Sequence, residues 1–322
     1  MKRRHFLGSV GLVVLSHPSA AQTFPDKPIR FIVPYAPGGS TDTSARIAAE
    51  KLSQMLGQPV VVENKAGGGT IIGTEIVTRA RPDGYTILLT PAALIANAAF
   101  GVKVPYDIDK DLVPVTGFVD LPVLLAASND APFKTVAELL AYAKADPKRT
   151  IPYASAGVGA LTHLWGEFVK ARTGMPLEHV GYKGSADALK DVIAGHVPLF
   201  SDVLVPTATS IRAGKLRGLA VATRERVELL PDVPTVGEAG LPGTECTIPF
   251  GISVPTGTPP EIVAKLNAVF NQALADAAIR KRMVDLGFIP VGGTPQAYAA
   301  VVAGEIAKWR KVIKDSNIPP PA

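Results

Sequence analysis

The chain has 322 residues, 47% of them hydrophobic and 19% charged, with 30 glycines, 29 prolines and one cysteine. That balance excludes a disordered chain and a disulfide scaffold, and it supplies enough apolar material for two cores. Part of the formal charge of +5 comes from the extreme N-terminus. No basic run interleaved with aromatics follows it, which argues against a nucleic-acid partner.

The first element in chain order is an address. Lys2, Arg3 and Arg4, then the apolar residues 6–15, then Ser19-Ala20-Ala21 are the three parts of a secretory signal. We assign residues 1–21 as an export signal cleaved near Ala21, which places the protein outside the cytoplasm; the periplasm is what the resemblance given below implies. The apolar run falls well short of the roughly 20 residues that a membrane-spanning helix needs. Arg3-Arg4 also resembles a twin-arginine signal, so that route and general secretion both stay open. Cleavage removes three basic residues and no acidic one, so the net charge falls from +5 to +2.

Beyond the signal, short β-branched runs alternate with helical stretches, the pattern of an α/β fold with mostly parallel sheets. Residues 29–33, 60–62, 86–89 and 115–119 read as strands. Ala45, Ala48, Leu52 and Met55 form a helical stripe that Gly57 stops. A second series has strands at 150–154, 177–180, 199–201 and 216–222, with helices at 161–170 and 186–193. A Pro/Gly-rich stretch, 231–242, leads to a return strand at 248–254. Helices at 261–274, 277–286 and 296–314 close the chain. Two series and a late return strand predict two lobes, 22–123 plus 248–322 and 124–247, with crossings near 121–127 and 247–254.

A weak internal echo marks the two lobes. Val33-Pro34-Tyr35-Ala36-Pro37-Gly38-Gly39 can be laid over Ile151-Pro152-Tyr153-Ala154-Ser155-Ala156-Gly157, with Pro, Tyr, Ala and the last Gly coinciding. Each segment joins a predicted strand to a predicted helix. Glycine lets a ligand approach the backbone there, and the unpaired N–H groups of the helix start suit an anion. Ser40, Thr41 and Asp42 can cap the first helix, and Thr162 can offer a hydroxyl near the second. His163 lies one turn into that second helix, as a ligand group or a packing residue. Phe250 in the return strand is either a ligand contact or a core residue, and Trp165 reads as helix packing.

Two enzyme readings are weaker. Ser155, His163 and Asp202 are the residue types of a hydrolase triad, but no G-x-S-x-G elbow frames the serine. Gly157-Val158-Gly159 with Glu178 resembles a dinucleotide fingerprint, although Thr162 replaces its third glycine. An exported dinucleotide-dependent oxidoreductase is therefore the alternative function. His179 and His196 lack the clustered partners a metal needs, so no metal and no cofactor are expected.

The chain resembles the tripartite tricarboxylate transporter substrate-binding proteins, also called Bug proteins, over essentially its whole mature length. The resemblance rests on Pro34-Tyr35-Ala36-Pro37-Gly38-Gly39-Ser40-Thr41-Asp42, Val62-Glu63-Asn64-Lys65-Ala66-Gly67-Gly68-Gly69 and Arg81-Pro82-Asp83-Gly84-Tyr85-Thr86. Tyr182-Lys183-Gly184-Ser185 and Ile211-Arg212-Ala213-Gly214-Lys215-Leu216 extend it. It implies a two-lobed periplasmic-binding-protein fold, type II-like, each lobe a mostly parallel sheet flanked by helices. It implies a receptor, not an enzyme, that closes over a small carboxylate and delivers it to an integral-membrane permease; we expect a monomer. Di- and tricarboxylates, aromatic acids and acidic amino acids all fit.

The gripping residues it implies are Tyr35, Ala36, Pro37, Gly38, Gly39, Ser40, Thr41 and Asp42 in one loop, partly through ordered waters. Ser155, Ala156, Gly157, Gly159, Thr162 and His163 form the other, with Thr90 adding a hydroxyl and Asp202 facing the far end of the ligand. The chain departs from the family pattern at Ser201-Asp202-Val203, at Lys65-Ala66 and at Trp165, which weakens any transfer of ligand identity.

Overall fold

The computed structural model describes residues 24–146 and 148–320. The assigned signal, 1–21, and its cleavage point near Ala21 lie outside the described residues. The first part of the chain runs β1 (Ile29–Val33), α1 (Ser40–Leu56), β2 (Val60–Asn64), α2 (Ile71–Thr78), β3 (Thr86–Thr90), α3 (Ala93–Phe100) and α4 (Ile108–Asp111) into a long β4 (Leu112–Ser128). The second part is α5 (Val136–Ala145), β5 (Ile151–Ser155), α6 (Leu161–Thr173), β6 (Leu177–Gly181), α7 (Ser185–Ile193), β7 (Leu199–Val203), α8 (Leu204–Arg212) and β8 (Leu216–Val221). The chain then returns through β9 (Thr247–Pro255), α9 (Pro260–Ala275), α10 (Ala277–Asp285), β10 (Ile289–Pro290) and α11 (Pro295–Asp315).

The strands form a continuous curled sheet in the order β2-β1-β3-β9-β4-β7-β5-β6, with β8 and β10 also pairing β4. Parallel pairing joins β2-β1-β3 on one side and β6-β5-β7 on the other. The two triplets repeat one topology, the structural counterpart of the echo in the sequence. Antiparallel β4 and β9 stitch the halves together. Pro122 of β4 still pairs Thr247 of β9, whereas Val123 already pairs Val203 of β7. The change of partner between the two halves, the waist of the molecule, therefore lies at Pro122–Val123 and Cys246–Thr247.

Register fixes which strand ends meet at this waist. β3 runs antiparallel to β9 from Leu88↔Ser253 to Thr90↔Gly251, heading toward Thr247. β7 runs antiparallel to β4 from Leu199↔Ala127 to Val203↔Val123, heading toward Pro122. Both parallel triplets thus point their carboxyl ends at the crossing. The loops after β1, β3, β5 and β7 converge there, the place where open α/β sheets bind ligands.

The core supports this frame. Phe31 of β1, Phe118 of β4 and Phe270 of α9 meet edge to face, with centroids 6.4, 6.0 and 6.2 Å apart, and fix α9 on the first half. Each such buried ring contributes about 1.5–3 kcal/mol. α11 packs on α3 and β4 and also reaches α6, where Trp309 meets Phe168 edge to face at 6.4 Å. The last helix thus spans both halves rather than resting on the first alone. Trp165 is fully buried and donates its indole N–H to the Thr244 carbonyl at 2.7 Å, the packing role its sequence position suggests.

Candidate functional site: two strand-to-helix loops at the waist

The first loop follows β1. Ala36, Pro37, Gly38 and Gly39 are exposed, and Gly38 has φ +84°, a conformation that glycine alone adopts cheaply. The cap of α1 is Gly39 itself, with no side-chain hydrogen bond, rather than Ser40, Thr41 or Asp42. Asp42 instead reaches back from the third helical position. Its carboxylate accepts from the Gly38 N–H at 2.8 Å, from Arg46 Nε at 3.0 Å and from Asn64 Nδ2 at 3.0 Å. Burial opposes its ionisation, but the Arg46, Gly38 and Asn64 bonds win and hold it below the usual carboxylate range. Asp42 is thereby committed to fastening the loop, and Asn64 adds a second fastening by donating to the Tyr35 carbonyl at 3.1 Å.

Behind this loop the side chains are tied to one another. The Tyr35 ring meets Phe250 edge to face at 6.1 Å, and the N–H groups of Ala92 and Ala93 face its hydroxyl. Phe250 is 5% exposed and pairs Val119 in the sheet, so it is first a core residue of the waist. Thr90 shares a hydrogen bond of 2.7 Å with Ser253. Tyr298 of α11 lies across Gly251, where an added Cβ would fall 2.0 Å from the ring.

The second loop follows β5. Gly157 and Gly159 have φ +146° and +79°, and Ala160 precedes α6 without a side-chain cap. The Gly159 N–H donates to His163 Nδ1 at 3.1 Å, so that nitrogen carries no proton. His163 stacks on His179 of β6 at 3.8 Å, and His179 Nε2 shares a bond of 2.7 Å with the Ser155 hydroxyl. Tyr153 donates to Glu167 at 2.8 Å and packs its ring on His179. Burial lowers both histidines to about 4, with Lys170 adding to the effect on His163 and His163 adding to that on His179. The pair is neutral and braces the loop. Sequence spacing gave no signal for His179, because its link to Ser155 runs between neighbouring strands.

Two polar atoms here are buried and unpartnered. Thr162 Oγ1, in the first turn of α6, makes no hydrogen bond. Asp202 Oδ1 accepts from the Val203 N–H at 2.8 Å, whereas Oδ2 makes none. Desolvation pushes the Asp202 carboxyl up to about 6, and the nearby Ser185 hydroxyl and the Val203 N–H oppose that rise. Thr70 Oγ1 and Tyr106 OH are likewise buried without a partner, and an ordered water or a ligand satisfies such atoms.

The enzyme constellations do not assemble. Ser155 pairs His179 rather than His163, and no histidine among the described residues acts on Asp202. Glu178 pairs Pro152 near the start of β6, away from the glycine loop, and Thr162 is buried where a dinucleotide fingerprint needs glycine. A cavity of about 480 Å³ lies off the site, lined by Arg224, Cys246, Arg280, Phe288, Glu305 and Lys308. It holds none of the expected gripping residues and no orphaned buried polar atom. The two loops, which end the parallel strands, therefore remain the candidate site.

Comparison with known proteins agrees with this geometry. Residues 44–318 match the family described as tripartite tricarboxylate transporter family receptor. The protein BugT of Bordetella pertussis is 35% identical over 98% of this chain and 99% of its own length. An R. palustris protein solved with adipate is 35% identical with a TM-score of 0.82, covering 92% of this chain and 99% of that one. MatC of Rhodopseudomonas palustris, solved with bound malate, is 34% identical with a TM-score of 0.75, covering 90% and 100%. The chain belongs to the tripartite tricarboxylate transporter receptor family and is a periplasmic solute-binding protein, not an enzyme.

Proposed function

We propose that this receptor closes two lobes, 22–123 plus 248–322 and 124–247, on one small carboxylate and delivers it as a monomer to a tripartite tricarboxylate permease. Export removes residues 1–21. The observation that carries the reading is the pair of strand-to-helix loops aimed at one waist, each opening a helix that no side chain caps. The first-turn N–H groups of α1 and α6 would hold the anion from both sides, directly or through water, and the glycines admit it to the backbone. Tyr35, Ala36, Pro37, Gly38, Gly39, Ser40 and Thr41 would line one side, with Asp42 as the fastener. Ser155, Ala156, Gly157, Gly159, Thr162 and His163 would line the other, with Thr90, Asp202 and Phe250 between them.

Ligand bound to both loops stabilises the closed form only through contacts that the open form lacks, which is how occupancy would be signalled to the permease. The relatives solved with adipate and malate support small dicarboxylates among the candidates. The test is a thermal-shift screen of residues 22–322 against small carboxylates and their amides. At 100 times its Kd a true ligand adds about 2.7 kcal/mol, a shift of several degrees. Equal shifts from an acid and its amide would overturn the anion grip.

A further inference from the structure

The two loops proposed to grip the anion contain no free cation. Neither holds a lysine or an arginine, and Arg46, in the second turn of α1, is committed to Asp42 and to Asn64, each at 3.0 Å. The pull of a helix start fades within its first turn. Attraction over a longer range therefore has to come from charges outside the two loops.

The loops after the outer strands carry such charges. Gly67, after β2, has φ +130° and ψ +156°, and Gly184, after β6, has φ +134° and ψ +161°, a region that essentially only glycine occupies. Each opens a helical turn without a side-chain cap, and a lysine stands just before it, Lys65 in one half and Lys183 in the other. Both outer loops abut the inner ones. Asn64 donates to the Tyr35 carbonyl at 3.1 Å, and the Lys65 N–H donates to the Val33 carbonyl at 2.8 Å. A Cβ added at Gly157 would fall 2.8 Å from the Tyr182 carbonyl oxygen, and one at Gly181 would fall 3.0 Å from Val158. Each lysine thus follows directly on a contact with an inner loop, a separation comparable to the Debye length of about 8 Å.

Both charges are available. Lys183 is exposed and has no ion-pair or hydrogen-bond partner among the described residues. The acids of the adjoining α7 are engaged elsewhere, Asp187 with Lys190 at 2.9 Å and Asp191 with the Tyr182 hydroxyl at 2.7 Å. Lys65 reaches Glu63 at 3.3 Å, but Arg30 already holds both Glu63 oxygens at 2.7 and 3.0 Å, which leaves that trio with a net positive charge.

We infer that Lys65 and Lys183 are a pair of anion-attracting lysines, one in each half beside the gripping loops, and that they favour doubly over singly charged acids. This rests on the carboxylate reading above and adds selection by ligand charge. Two unit charges about 8 Å apart in water change an affinity roughly twofold. Two lysines therefore contribute about fourfold for a singly charged acid and more than tenfold for a dianion. Salt at about 1 M shortens the Debye length to roughly 3 Å and removes the effect.

The experiment is calorimetric titration of residues 22–322 with adipate and malate, and with the singly charged half-amide of each, at about 10 mM and about 1 M salt. In the double variant Lys65→Gln with Lys183→Gln, low-salt affinity should fall about fourfold for the half-amides and more than tenfold for the diacids, and by less than about twofold at high salt. Lys65→Arg with Lys183→Arg should keep the wild-type values, because charge alone is at work. Should the double variant not fold, each single glutamine variant should show about half the effect on a logarithmic scale. Unchanged affinity at low salt, equal losses for diacid and half-amide, or losses that persist at high salt would overturn the lysine pair and leave the carboxylate grip standing. Wild type that binds neither diacids nor half-amides would overturn the carboxylate reading and the pair with it.

Discussion

The Asp202 carboxyl makes a quantitative claim about stability. Its folded value of about 6 lies above the 3.8 of a free aspartate, so the folded state holds the proton more tightly. Stability is then full below pH 3.8 and is lost as pH rises through 6. At about 1.36 kcal/mol per unit the whole loss is on the order of 3 kcal/mol, and roughly half of it accumulates between pH 5 and 7.5. Asp202→Asn removes this titration. An unpaired amide has its own cost, but that cost does not change with pH, so the quantity to read is the change in the difference between the two proteins. Melting curves of wild type and Asp202→Asn, without ligand, should diverge by about 2 °C between pH 5 and pH 7.5, the variant gaining. His163 and His179 titrate in the same range in both proteins and largely cancel. Parallel curves across that window would refute the argument that burial holds this carboxylate above its ordinary range.

Other expectations concern the two loops and the waist. Gly39 has φ −77°, and an added Cβ would meet nothing nearer than the Ala36 carbonyl at 3.8 Å. Gly39→Val should therefore fold with unchanged melting while carboxylate affinity, read by calorimetry, drops about tenfold or more; undiminished binding would sink the two-loop grip. The histidine pair works in the opposite sense to Asp202. With both lowered from 6.5 to about 4, the stability they carry is complete above pH 6.5 and lost as pH falls through 4. His179→Gln should flatten that acid limb in a melting series from pH 7 to pH 4. Gly251→Ala would drive a methyl into the Tyr298 ring and should cost about 1–3 kcal/mol in urea unfolding.

Much of the frame can be read from the sequence because punctuation coincides with geometry. Gly57 stops α1 in a left-handed cap at φ +66°, and β1, β5 and β9 sit where β-branched runs meet Pro and Gly. The long β4 is harder to read, since Pro114 and Pro122 argue against a central strand. The structure accommodates them where pairing is irregular: the register shifts beside Pro114, and Pro122 stands at the change of partner. α2 and α3 are eight residues each and apolar on most sides, so they carry little amphipathic period. α5 was legible in principle, because Thr135 accepts from the Glu138 N–H in a capping arrangement.

Within the candidate site, the two loops are visible as an echo, but the contacts inside them are not. Asp42 reads as a cap from its position and proves to be held by Gly38, Arg46 and Asn64, partners that only the fold supplies. For His163 the sequence leaves a ligand role and a packing role open, and the fold adds a partner the sequence does not show, the Gly159 N–H on Nδ1. The unpaired state of Thr162 and Asp202 is a property of three-dimensional surroundings, and no pattern of residues announces it.

The stitching of β9 between β3 and β4 also dictates an order of assembly. The whole second half lies between β4 and β9 along the chain, yet β9 is the neighbour that covers the edges of both β3 and β4. As the polypeptide emerges, the β5–β8 segment has nearly all its strands at hand and can condense first. The β1–β3 ladder must wait with an unprotected edge until the late strand arrives, and such edges invite mispairing. Closure of the N-terminal half thus depends on the C-terminal segment, so damage near β9 should betray itself as misassembly of residues made long before it.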